Sequence, residues 1–124
     1  MLLSYLQQHY LYNDESSSFY YSVTPLKKTF VLSHPKINLA RLVESIKYDI
    51  KKYIKRERNK KLPEGVDYWD FDCKFGHTEE IAETIHISTI NKHIDEAERL
   101  ELESFYIEVM VKPAVRGEKS VDSE

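Results

Sequence analysis

Apolar and polar positions follow two periods along this chain, and each marks a different element. From Asn38 onward, Leu39, Leu42, Val43, Ile46, Ile50, Tyr53 and Ile54 recur at steps of three and four. That spacing lays one apolar stripe along an amphipathic helix. Asn38 is the expected N-cap. Pro63 and Gly65 stop the helix, which should end near Lys60 or Lys61. The period then changes to two. Trp69, Phe71, Cys73 and Phe75 alternate with Tyr68, Asp70, Asp72 and Lys74, the pattern of a half-buried strand over Val66 to Phe75. Near the end of the chain, Phe105, Ile107, Val109 and Val111 alternate with Tyr106, Glu108, Met110 and Lys112, which predicts a strand from Ser104 to Lys112.

Weaker signals fill the gaps. The run K-K-T-F-V-L-S at 27–33 is β-rich, and His34-Pro35 breaks it. Gly76 to Glu80 is turn-like. Ile81 to Ile87 is expected as a strand because Thr84, Ile85 and Ile87 are β-branched, with a helix over 79–87 as the alternative. Ser88 or Thr89 opens a second helix, ending near Glu103, with Ile90, Ile94, Ala97 and Leu100 inward. The order β-α-β-β-α-β predicts an α+β, ferredoxin-like fold: a four-stranded antiparallel sheet with both helices on one face. The expected strand order is 4-1-3-2.

Residues 1–26 differ from the rest. They hold five of the nine tyrosines, no Lys or Arg, and the run Ser16-Ser17-Ser18. A short helix over 2–12 and an edge strand over 19–24 are the expected elements of this N-terminal extension, a tail or an added element on the domain. The domain itself is expected over 27–113, and the polar residues 114–124 as a disordered tail.

Composition narrows the class. The 124 residues are 41% apolar and 31% charged, with a net charge of −3, as in an ordinary single globular domain. No apolar run nears the ~20 residues of a bilayer span, so no membrane partner is expected. The lone Cys73 permits no internal disulfide and no zinc site on paired cysteines. No Lys or Arg precedes Lys27, so a secretion signal is not expected, and a cytoplasmic location is.

Three segments carry a resemblance. K-K-T-F (27–30), the helix-to-strand segment R-L-V-E-S-I-K-Y-D-I-K-K-Y-I-K-R-E-R-N-K-K-L-P-E-G-V-D-Y-W-D-F-D-C-K-F-G (41–76) and E-S-F-Y-I-E-V-M-V-K-P (103–113) resemble a family of small bacterial proteins of unknown function over about residues 27–116. The resemblance implies a compact bacterial cytoplasmic domain and carries over no activity, cofactor or catalytic residue. It also implies a start near Lys27. Leu26 is accordingly read as an alternative start, with a genuine lineage-specific extension as the other reading.

Chemistry is sparse, and no catalytic motif is present. Between Lys47 and Lys61 stand eight Lys or Arg against Asp49 and Glu57, a local charge of +6. Lys51, Lys52, Lys55, Arg56 and Arg58 are therefore the candidate contacts for RNA or another polyanion. The competing reading is a solvated face that complements the acidic second helix, with Asp95, Glu96, Glu98, Glu101 and Glu103. RNA on the open sheet face is not expected, because the strands placed at its centre offer Thr29, Val31, Thr84 and His86 and no aromatic platform. The alternative site is a metal or acid–base cluster of Asp70, Asp72 and His86, with His86 across the hairpin from one Asp; against it stands the ordinary wet side of a strand. Asp67 is read as serving the turn. The Cys73 thiol is read as inert core. A third reading is a structural domain that forms a homodimer through Tyr106, Met110 and Val31 on the open face, or covers that strip with residues 1–26. The most favoured is a non-catalytic binding or interaction module that needs no cofactor.

Overall fold

The computed structural model describes the backbone of residues 10–14 and 19–23, and residues 25–117 in full. The expected strand over 19–24 forms as β2 (Phe19–Val23), paired antiparallel with β1 (Tyr10–Asp14). The last residues of the expected 2–12 helix thus lie in a strand, and residues 1–9 fall outside the described set. The tail expected from 114 lies there too from residue 118.

The domain follows as β3 (Leu26–Val31), α1 (Leu39–Arg58), β4 (Tyr68–Gly76), β5 (Glu83–Ile85), α2 (Ile90–Arg99) and β6 (Ser104–Ala114). The order βαββαβ and the antiparallel four-stranded sheet make the expected α+β, ferredoxin-like arrangement. The strand order inside the sheet differs from expectation. It runs β3-β6-β4-β5, so the second and fourth strands of the motif are central and the first and third are edges. The composition of the strands accounts for this. β6 is apolar nearly throughout and is buried on both faces near Tyr106, as a central strand requires. β3 carries Lys27 and Lys28, and β5 has three residues including Glu83; lysines and shortness both suit an edge.

Both helices pack on one face of the sheet. Asn38 caps α1 as expected, its Oδ1 accepting the Arg41 N–H at 2.9 Å. Val43, Ile46, Ile50 and Tyr53 of the stripe are buried, and Leu39 is exposed. Ile94 and Ala97 of α2 reach the same core, whereas Leu100 does not and stands half exposed. Trp69, Phe71, Cys73, Phe105, Ile107, Val109 and Val111 supply the sheet side, as the alternation predicts. Burial pushes the Cys73 thiol up to about 11, with the Asp72 and Asp70 charges adding to the effect. A thiol so placed stays protonated at neutral pH.

The segment expected as a strand over 81–87 is mostly not one. Only Glu83–Ile85 pair with β4, between 3-10 turns at Glu79–Ile81 and Ile87–Thr89. Ala82 folds back over Gly76, the residue that pairs with Tyr106. A Cβ on Gly76 would stand 2.7 Å from the Ala82 Cα, which is backbone and cannot yield cheaply. Gly76→Ala is therefore expected to destabilise the domain by about 1–3 kcal/mol in urea unfolding. A change below a few tenths would show that the 78–82 segment moves freely.

Candidate functional site

The sequence points to two places, and the structure treats them differently. The first is the open sheet face. Asp70, Asp72 and Lys74 of β4 stand beside Lys112, Met110 and Glu108 of β6 in register. Asp72 is ion-paired to Lys112 at 2.9 Å. Asp70 accepts the Phe71 N–H at 2.8 Å. Glu108 accepts the Tyr106 hydroxyl at 2.9 Å. The hairpin pairs Lys74 with Thr84 and ends at Cys73 with Ile85. The ladder thus stops one residue before His86 would face Asp72. His86 instead begins a 3-10 turn, and its Nδ1 accepts the Ser88 N–H at 3.1 Å and lies 2.8 Å from the Ser88 Oγ. Among the described residues, no three His, Cys, Asp or Glu side chains gather in a group suited to a metal. Asp70, Asp72 and His86 are consequently not brought together, because the chain turns away where the cluster needed one more pair.

Two further expectations change here. Tyr106, expected in an exposed apolar strip with Met110 and Val31, is buried, and only Val31 is freely exposed. Asp67 serves the end of β6 rather than the turn. Its N–H donates to the Ala114 carbonyl at 2.9 Å, and its Oδ2 accepts the Arg116 N–H at 2.7 Å.

The second place is α1, and here the charges have a definite arrangement. Lys51, Lys52, Lys55, Arg56 and Arg58 are all exposed. Helical spacing divides them into two rows. Lys51, Lys55 and Arg58 follow i, i+4, i+7 and line a groove of about 690 Å³. Its far side is built by Ile87, Ser88, Ile90 and Asn91, where the second 3-10 turn leads into α2. Lys52 and Arg56 lie on the adjoining flank, over the rings of Tyr48 at 5.6 Å and Tyr53 at 5.8 Å. Arg58 is steadied at the inner end, its guanidinium 5.3 Å from the centre of the Phe71 ring.

The complementary-helix reading accounts for one cation. Lys47 bridges to Asp95 of α2 at 2.6 Å, with Glu44 at 3.7 Å. The Asp95 hydrogen bond raises the Lys47 pKa, against a smaller loss from burial. Glu96 pairs within its own helix with Arg99. Among the described residues, none of the five candidate cations has a carboxylate within salt-bridge reach.

The burial of Glu57 is the feature of this surface that the sequence reading does not anticipate. Glu57 has Lys60 Nζ 2.9 Å from its Oε1. It continues the stripe Ile46, Ile50, Tyr53 at the next step of four, so the periodicity could have placed it. Its burial removes one of the two acids from the basic surface. Asp49, the other, acts on Lys28 of β3, whose pKa is lowered by burial with Asp49 opposing.

A family model described as a family of unknown function (DUF6172) matches residues 26–120, and the chain belongs to that family. No curated protein matches the chain, and no solved structure does. Among the described residues, no helix is long and apolar enough to cross a membrane.

Proposed function

We propose that this member of the family is a small binding module for an anionic polymer, held in the groove between α1 and the start of α2. One observation carries the reading: Lys51, Lys55 and Arg58 line a single concave surface, and none has a carboxylate partner among the described residues. Exposed lysines with acidic partners would only solvate the helix. Three unpaired cations on one wall concentrate positive potential where a polymer can lie. Glu44 on the same wall limits the field at one end, so the strongest part runs from Lys51 to Arg58. RNA is one polymer of this class.

Salt dependence tests the proposal. Three phosphate contacts give a slope of log affinity against log salt of about −2, taking ~0.7 per contact on a flexible strand. Labelled long-chain polyphosphate should therefore lose affinity on the order of 10²-fold between roughly 25 and 200 mM salt. Fluorescence anisotropy reads this directly. No binding at the lowest salt would remove the proposal, and so would binding with a flat salt response.

A further inference from the structure

We infer that the polymer is single-stranded nucleic acid, with one base stacked on Tyr48 and the backbone following Lys51, Lys55 and Arg58. This rests on the polyanion reading and adds to it what the rest of the groove requires. Cations alone would suit any anionic chain, but the groove is only partly cationic. Ile54 and Ile87 are partly exposed apolar side chains among its lining residues, backed by the buried Ile50 and Ile90. Tyr48 lines it too and is 61% exposed, although a tyrosine gains from burying its ring. A bare phosphate chain makes no use of an isoleucine surface or an open aromatic ring. A strand with free bases uses both, because any base has an apolar face that stacks on tyrosine.

Geometry limits the form of the strand. Lys51 to Arg58 spans about 10 Å along the helix axis at ~1.5 Å per residue. That length serves about three successive phosphates at the ~3.4 Å axial spacing of a stacked strand. A duplex keeps its bases inside, so Tyr48 would have nothing to stack on. Lys52 lies over one face of the same ring, 5.6 Å from its centre, so the base takes the other face. The Asn91 amide, without a hydrogen-bond partner among the described residues, is on the far side of the groove and offers a donor and an acceptor to a base edge.

The experiment compares three probes by anisotropy at one low salt concentration: a labelled single-stranded oligouridine, an RNA duplex and long-chain polyphosphate. The wild type should bind the single strand more tightly than the duplex. Tyr48→Ala should weaken the oligouridine about tenfold or more, the usual effect of losing one stacked base, and leave polyphosphate unchanged. Tyr48→Phe should retain most of the affinity, since the ring is kept. Tyr48 is exposed, so both variants should melt like the wild type. An oligouridine affinity within twofold of wild type in Tyr48→Ala overturns the inference while polyphosphate binding upholds the polyanion reading. Equal affinity for duplex and single strand overturns it likewise. If neither oligouridine nor polyphosphate binds the wild type, both proposals fall.

Discussion

Phe105→Ala is expected to cost about 3–5 kcal/mol of folding stability, the largest single-site effect in the domain. Phe105 is fully buried on β6, one of the two central strands. Its ring lies 4.9 Å from Phe75 in a stacked arrangement and 5.6 Å from Phe30 in a tilted one. Truncation removes the ring's own transfer free energy and both aromatic pairs, each worth about 0.5–1.5 kcal/mol beyond area. It also leaves a cavity that regular strands cannot easily close. A domain of this size holds about 5–15 kcal/mol in total, so the variant should sit at the margin of folding. Urea unfolding followed by Trp69 fluorescence measures the loss. A loss under about 1 kcal/mol would mean that Phe30 and Phe75 collapse into the space.

The second large effect concerns binding. Reversing the groove row, as Lys51→Glu with Lys55→Glu and Arg58→Glu, should abolish polyphosphate binding at low salt. Reversing the flank, as Lys52→Glu with Arg56→Glu, should cost under about tenfold at physiological salt, where charges beyond ~8 Å are largely screened. The flank variant loses the Lys52 contact with Tyr48 and the Arg56 contact with Tyr53, a cost of about 0.5–1 kcal/mol each. The groove variant also loses the Arg58 contact with Phe71, a cost of about 0.5–1 kcal/mol. Equal losses in the two variants would show that binding follows total charge and not the groove.

Local pattern told more of this fold than long-range order did. The stripe of α1, its Asn38 cap and the alternation of β4 and β6 were legible because each depends on neighbours within a few residues. The strand order was not, because pairing between Leu26 and Val109 is set by which strands can be buried on both faces. The clue was present in Lys27 and Lys28, which favour an edge, and in the nearly unbroken apolar run of β6. The three-residue β5 was overextended because β-branched residues also occupy the 3-10 turns beside it.

The candidate site divides along the same line. That α1 is basic was visible at once. That its cations form a groove row and a flank row, with only the first facing α2, depends on where α2 packs, and no local pattern carries that. The acidic cluster failed for a local reason. A period of two places Asp70 and Asp72 correctly, but it says nothing about where the partner strand ends.

The central place of β6 has a consequence for the order of events during synthesis. β6 emerges from the ribosome after every other strand, yet it joins β3 to β4. Until it arrives, only the local β4–β5 hairpin can form in the sheet, and β3 has no partner within it. The apolar faces of α1 and β4 must wait in the nascent chain, where they are open to aggregation or chaperone capture. Pairing so distant in sequence also makes folding slower than the helical content suggests.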